Sequence, residues 1–242
     1  MSRLPAARAR DHDHARAGAS PSRRRWWRWI LAGVVATIII IVGAVAAFIK
    51  LGPSFAPLAL PHGISAPSGP LSGTWQVTDG SLAGFRVEET ALGFSNYIGG
   101  QTRAVAGVIV ISRNTVTSAR FRINITTLKV SGRAQPQLAT SLGTRAHPLA
   151  TFTLTKPVTL NPAFAAGHTI AGTATGELAM NGTTRPVTVM LTARRAGRDL
   201  QAAGSIRVQF ARWGIQQPGG FGFIGSLADN GDAEFLLILR RQ

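Results

Sequence analysis

Alternation of apolar and polar residues dominates the chain from Trp75 onward and constrains its fold more than any other feature. Every second side chain is apolar in residues 119–125 (ARFRINI), and residues 204–210 (GSIRVQF) repeat the pattern. Residues 151–155 and 187–193 alternate in the same way. A period of two is that of a half-buried β-strand, and this region holds no sustained period of 3.6. The sequence therefore predicts an all-β domain.

Turn signals divide this region into strands. Residues 169–180 and 185–193 are joined around Asn181-Gly182, a dipeptide that supplies the positive φ angles of a tight hairpin turn. Residues 229–232 (DNGD) predict a second turn. We count about eight strands, which must stack or close on themselves to hide their edges. An eight-stranded antiparallel barrel leaves room inside for one elongated ligand, and a solid sandwich is the alternative.

A second constraint precedes the strands. Residues 30–49 (ILAGVVATIIIIVGAVAAFI) carry no charge, and twenty helical residues match the thickness of a bilayer core. Three tryptophans and four arginines flank the start of this run within residues 23–29, whereas only Lys50 follows it. The positive-inside rule then predicts a single-pass anchor at the cell membrane over residues 26–50, with the N-terminus in the cytoplasm and the barrel outside it.

Two other interpretations of this segment stay open. Small residues around Ala46 resemble a signal-peptidase site, which would release a secreted protein. Residues 22–28 (SRRRWWR) resemble a twin-arginine export signal. The apolar run continues past Ala46 to full spanning length, which favours an uncleaved anchor.

The residues on either side of this segment have biased compositions. Residues 1–25 are polar and rich in arginine, which predicts a disordered cytoplasmic tail. Residues 51–72 contain five prolines among glycines and serines. Because prolines at this density block helices and sheet ladders, we expect an extended linker that lifts residues 73–242 off the membrane.

The net charge of +16 suggests a nucleic-acid partner until it is divided along the chain. Residues 1–29 contribute +6, and residues 51–242 contribute +9 from seventeen basic and eight acidic groups. The basic residues of the second part form no run longer than two. Nucleic-acid binders concentrate charge and interleave it with aromatic rings, so we expect no nucleic-acid partner. The chain contains no cysteine, which excludes disulfides and thiol chemistry.

Five motifs, in order, resemble those of the YceI-like family of exported, lipocalin-like bacterial barrels. The first is GTWQV followed by GFRV, and the second is the AVAGV segment. The other three are HPLATFTL, GELAMNGTTRPV and FARWGI, of which GELAMNGTTRPV is the most specific. In chain order, the segments occupy residues 73–77 with 84–87, 104–108, 147–154, 176–187 and 210–215. The resemblance implies a barrel that holds a polyisoprenoid-type lipid.

The chain departs from the family pattern at two places. Glu88 stands where relatives often have a histidine, and residues 133–136 (RAQP) replace an Arg-Asp pair. If those groups seat a polar headgroup in relatives, the headgroup chemistry differs here.

A lipid chain needs a dry tunnel rather than catalytic groups. The apolar strand faces supply the candidate lumen residues, which are Phe121, Ile123, Phe152, Leu154, Leu178, Val187, Val189, Ile206 and Val208. A filled core would use the same residues, so a non-catalytic envelope stress or interaction module with a filled barrel is the alternative. Phe221 and Phe223 lie in a Gly-rich loop that we expect to cover a barrel mouth.

The motifs of other chemistries are missing or lack their context. Residues 220–225 (GFGFIG) match a dinucleotide fingerprint without its strand and helix, so we expect no cofactor. His147 and His168 have no neighbouring ligand at metal spacing, and no G-x-S-x-G elbow occurs. Glu88 and Glu89 are adjacent and point to opposite faces of a strand. The sequence thus predicts a binding protein that is not an enzyme.

Overall fold

The structure is a computed structural model that describes residues 22–51, 54–63, 65–91, 93–216 and 225–242. Their backbone divides into two compact units, Met1–Ala46 and Ala47–Gln242. The first unit contains most of helix α1 (Ser22–Leu51). Among the described residues, no helix has both the length and the apolar character needed to cross a membrane, so the span predicted over residues 30–49 is not confirmed.

Antiparallel strands make up the second unit. Its strands are β1 (Gly73–Val77), β2 (Leu82–Ala91), β3 (Phe94–Thr102), β4 (Val105–Ser112), β5 (Thr115–Asn124), β6 (Leu149–Leu154), β7 (Val158–Thr159), β8 (Ile170–Met180), β9 (Thr183–Ala196), β10 (Asp199–Gln209) and β11 (Gly225–Arg241). Its helices are α2 (Pro136–Ser141), α3 (Pro162–Ala165) and two 3-10 turns, Ile125–Thr127 and Phe210–Trp213.

Eight of these strands close into a ring, in the order β1-β4-β5-β6-β8-β9-β10-β11. The ring closes where Trp75 of β1 lies opposite Arg241 of β11. Strand β11 is long enough to pair with both β1 and β2 along one edge, and β2 with β3 extends the wall beyond the ring. The predicted eight-stranded antiparallel barrel is therefore confirmed, and the sandwich alternative is wrong.

The hairpin predicted at Asn181-Gly182 joins β8 to β9. Both residues have positive φ angles, 48° and 71°, as a type I′ turn requires. The Asn181 side chain donates hydrogen bonds to the carbonyl oxygens of Trp213 (2.9 Å) and Gly214 (3.1 Å). The turn therefore also fastens the 3-10 turn that precedes the last strand.

Gly182→Ala is expected to lower the free energy of unfolding by about 1–2 kcal/mol, because an alanine at this φ angle is strained. A Cβ atom at Gly182 would also lie 2.7 Å from Nε2 of His147. Gly172→Ala in the same hairpin is the control, since Gly172 has open space around it. Urea denaturation measures the free energy of unfolding of both variants. An equal loss in the two would contradict the type I′ turn at Asn181-Gly182.

The turn predicted at residues 229–232 is wrong. These residues belong to β11, where Asn230 lies opposite Gln209 of β10 and Asp232 lies opposite Arg86 of β2. The register with β2 shifts between Leu227 and Gly231. Partner strands on both sides hold the DNGD segment in an extended conformation. The only irregularity that this segment introduces into its pairing with β2 is the bulge.

The Pro-rich segment before the barrel is extended, but it lies against the barrel. We call residues 54–63 and 65–71 the strap. The Phe55 N–H donates to the Tyr97 carbonyl oxygen (3.0 Å), and the ring of Phe55 lies over Gly99 of β3. The Leu58 N–H donates to the Glu234 carboxylate (3.2 Å). Proline excluded these residues from a strand ladder without preventing them from packing.

The second half of the strap reaches the end of the barrel beside α3. Arg194 and Arg195 are buried and donate to strap carbonyl oxygens, Arg194 to Pro61 and Arg195 to Ser68 (3.1 Å) and Gly69 (2.7 Å). The Gly197 carbonyl oxygen accepts from the N–H of Ser68 (2.8 Å). We predicted residues 51–72 as an extended linker that lifts the barrel off the membrane. That prediction did not include these contacts with the barrel.

Candidate functional site

The inside of the barrel holds a cavity of about 270 Å³. A water needs about 10–15 Å³ on this scale, so the space admits roughly 20 water-sized groups and is far larger than a packing defect. Of the side chains around it, only Gln201 and Glu234 are polar. The carboxylate of Glu234 is engaged with Arg86 and with the strap, so it does not serve a ligand in the cavity. The cavity is built to hold something apolar.

Seven of the nine candidate lumen residues line this cavity: Phe121, Ile123, Phe152, Leu154, Leu178, Val189 and Ile206. The other two, Val187 and Val208, are not on its wall. They pack with the buried Trp213 in a cluster at one end of the barrel. The alternating pattern identified which side chains face the inside of the barrel. It could not indicate where along the barrel axis the cavity ends and the packed cluster around Trp213 begins.

Other residues of the wall lie outside the alternating segments that we singled out. Ile109, Ile111 and Val116 come from β4 and β5, and Leu237 and Leu239 from β11. Leu160 and Phe164 come from the connection that contains α3. A helix signal was present there, because Asn161 caps the N–H of Ala163 (2.8 Å) and Pro162 follows it.

Two phenylalanine rings on the cavity wall are paired with glycines. Gly107 lies opposite Phe121, and a Cβ atom there would be 2.4 Å from the Phe121 ring. A Cβ atom at Gly176 would be 2.4 Å from the Phe152 ring. The rings therefore lie flat over backbone that has no side chain, instead of projecting toward the barrel axis. The missing side chains keep the lumen open.

Gly176→Ala is expected to push Phe152 into the lumen, weakening the binding of an apolar ligand about tenfold and lowering stability by about 1–3 kcal/mol through overpacking. Adding Phe152→Leu should recover most of both losses. Titration with retinol, a fluorescent isoprenoid alcohol, measures the affinity. If Gly176→Ala alone binds retinol as tightly as the parent, Gly176 does not keep the Phe152 ring out of the lumen.

Three of the segments that resemble family motifs, HPLATFTL, GELAMNGTTRPV and FARWGI, meet at one end of the barrel. Arg185 donates from Nε to the Arg212 carbonyl oxygen (2.6 Å), and Asn181 bonds to the same 3-10 turn. His147 lies over Gly182. These contacts hold Trp213 in the barrel interior, where it is buried. The motifs GELAMNGTTRPV and FARWGI thus pack together and close this end of the barrel.

The strongest electrostatic feature lies on the outer face of β2 and β11. Arg86 pairs with Glu234 (2.7 Å) and Asp232 (3.3 Å), and its guanidinium carbon lies 4.5 Å from the centre of the Tyr97 ring. Burial lowers the pKa of Arg86, but its hydrogen bond to Glu234 and the charges of Glu234 and Asp232 outweigh burial, so the pKa is raised overall. Arg86 therefore stays charged, and its two ion pairs join β2 to β11.

Nothing in the described part of the chain assembles a metal site, because no three histidine, aspartate or glutamate side chains come together there. Phe221 and Phe223, the candidate lid residues, lie outside the described residues. The candidate site is the cavity, whose wall is almost wholly apolar.

Known proteins resemble this chain in sequence and in fold. A sequence model of the YceI-like domain matches residues 75–235. A polyisoprenoid-binding domain from Saccharophagus degradans, implicated in plant cell wall breakdown, aligns with a TM-score of 0.54 at 12% identity, over 71% of this chain and 99% of that domain. BcnA of Burkholderia cenocepacia aligns with a TM-score of 0.46 at 17% identity, over 64% of this chain and 95% of that protein.

No curated protein matches the chain. The match to the domain model nevertheless covers well over half of the sequence, and it includes all or part of every strand of the closed ring. The chain belongs to the YceI-like family.

Proposed function

We propose that this protein binds and carries an isoprenoid-type lipid in the barrel cavity, outside the cytoplasm and next to the membrane. The observation that carries the proposal is a cavity of about 270 Å³ with an almost wholly apolar wall. The polyisoprenoid-binding domain that shares this fold supports the choice of ligand class. The alternative of a filled barrel that serves only as a scaffold is disfavoured by the same cavity.

The physical basis is the transfer of a flexible apolar chain out of water. Hiding about 400 Å² of ligand surface at about 25 cal/mol per Å² contributes roughly 10 kcal/mol before the costs of association and ordering. The wall offers no unengaged charged side chain. Affinity therefore comes from the lipid chain, and a polar headgroup stays outside the apolar part of the cavity.

Native mass spectrometry of the full chain, expressed in bacteria and purified from the envelope in mild detergent, tests this proposal. We expect a bound species of several hundred daltons that extracts into organic solvent. A clean protein mass, even after incubation with envelope lipids, would contradict lipid carriage.

The location next to a membrane rests on the uncharged run of residues 30–49 and on the arginines before it. Fractionation of cells that express the full chain tests it. We expect the protein in the membrane fraction after alkaline carbonate washing, with residues of the barrel digested by protease added outside the cytoplasm. Recovery of the intact chain in the cytoplasm would overturn the location without affecting lipid binding.

A further inference from the structure

The charges of the barrel unit are divided very unevenly along the chain. Residues 90–176 contain eight lysines and arginines and no aspartate or glutamate. The remaining residues from 51 onward contain nine basic and eight acidic groups, so they are nearly neutral. Within the ring, the acid-free stretch forms β4, β5 and β6, which are neighbours and make up one side of it.

Two of these basic residues lie on the outer surface of β5. Arg120 lies opposite Val108 and Arg122 lies opposite Ala106, while Phe121 between the two arginines lines the cavity. Arg103, Lys129, Arg133 and Arg145 lie in the connections at the neighbouring end of β4 and β5. All six are exposed. We call the outer surface of β4 to β6 with these connections the basic face.

The basic face is not neutralised by the rest of the barrel. The ion pairs of the described residues involve Arg86, Arg207 and Arg240, all of which lie on other strands. None of the six arginines and lysines of the basic face takes part in one. Unpaired charges of one sign on one surface attract a partner of the opposite sign.

Apolar side chains are mixed with these charges. Val108 is 39% exposed and Leu149 is 46% exposed, both on the outer surface of the basic face. The aromatic residues of β5, β6 and α3, which are Phe121, Phe152 and Phe164, all line the cavity. The basic face therefore exposes no Phe, Tyr or Trp ring of the kind on which single-stranded nucleic acids stack, but has the cations and small apolar groups that suit an anionic bilayer surface.

We propose that the basic face docks the barrel on the surface of an anionic lipid bilayer. This inference deepens the proposed lipid carriage, because a carrier must meet the membrane that supplies its ligand. Each basic residue close to an anionic surface strengthens binding roughly fivefold, and salt weakens the attraction by screening.

The absence of cysteine from the chain makes the test specific, because one introduced thiol can be labelled alone. Val108→Cys places a fluorophore on the basic face. Met190→Cys places it on β9, which lies across the ring and where the native side chain is 64% exposed. The full chain is reconstituted with vesicles of phosphatidylcholine alone or with 30% phosphatidylglycerol, and a lipid-attached quencher reports contact with the bilayer.

We expect quenching of the Val108→Cys label in anionic vesicles, several-fold less quenching in neutral vesicles or in 0.5 M salt, and little quenching of the Met190→Cys label. Arg103→Glu, Arg122→Glu and Arg145→Glu should each lower the ratio of docked to undocked barrel at least about fivefold. Arg198→Glu makes the same charge change at an exposed turn outside the basic face and should have little effect.

Equal quenching on both faces, or equal quenching in neutral and anionic vesicles, would overturn the proposal. Tight binding of a labelled oligonucleotide at 0.15 M salt, with the Val108→Cys label shielded from a soluble quencher, would identify a nucleic acid as the partner of the basic face and overturn the bilayer. If the label shows no contact with the bilayer but native mass spectra still show bound lipid, only the docking proposal is refuted and lipid carriage stands. An empty cavity refutes the carrier function whatever the quenching shows.

Discussion

Ala174→Phe is expected to abolish lipid binding while leaving the barrel folded. Ala174 lines the cavity on β8, opposite Val189 of β9, which lines it too. A phenyl ring at this position occupies space that the lipid chain needs, and the cavity can accept the ring without displacing the backbone. We expect retinol affinity to fall at least about 100-fold, which corresponds to roughly 2.7 kcal/mol. Fluorescence titration measures the change.

Ala171→Phe provides the matched control for this experiment. Ala171 lies on the same strand, is exposed, and is not on the cavity wall. Its replacement should leave affinity within about twofold of the parent. If Ala174→Phe still binds retinol with parental affinity and a parental melting temperature, the ligand does not occupy this cavity.

Glu234→Ala is expected to cost about 3 kcal/mol of the free energy of unfolding and to release the strap. Glu234 is only 5% exposed, and its carboxylate accepts hydrogen bonds from Nε of Arg86 (2.7 Å) and from the Leu58 N–H (3.2 Å). Removing one partner of a buried pair leaves the other charge without compensation, which typically costs 3–5 kcal/mol. Asp232 still contacts Arg86, so we expect the lower end of that range.

Hydrogen exchange at Leu58 gives a second readout, because its amide should exchange much faster in Glu234→Ala. Arg207→Ala is the control, since the Arg207 side chain is 63% exposed and its pair with Asp232 should be worth less than about 1 kcal/mol. Equal stability losses in the two variants, or an unchanged exchange rate at Leu58, would show that Glu234 does not hold the strap.

Local pattern was enough to predict the walls of the barrel. Alternation in residues 119–125 and 204–210 depends on the two-residue period of a strand, which every β-sheet shares. The Asn181-Gly182 turn was predictable because few other dipeptides adopt two positive φ angles in succession.

Contacts between distant segments could not be predicted in this way. The DNGD sequence favours a turn locally, but β10 and β2 supply partners on both sides and keep it extended. The strap was expected to be an extended linker because its prolines exclude regular structure. Its partners, such as Arg195 and Gly197, lie far along the chain, and no pattern in residues 51–72 reveals them.

The open lumen shows a third kind of limit. Phe121 and Phe152 would serve equally well in a filled core, and only their position opposite Gly107 and over Gly176 allows the rings to lie flat. The glycines were visible in the sequence as part of motifs, but the strand register that pairs each glycine with a ring was not. The choice between a filled and an open barrel depends on that register.

The strap and β1 also impose an order on folding. Both are made early, yet Leu58 bonds to a residue 176 positions later, Arg195 bonds to Ser68 across 127 positions, and β1 pairs with the last strand. The ring therefore cannot close until almost the whole chain has been synthesised, and contacts this distant in sequence slow folding. Until β11 arrives, β1 and β10 present unpaired edges through which unfinished chains can associate. Chains truncated before residue 225 should therefore aggregate rather than form a smaller barrel.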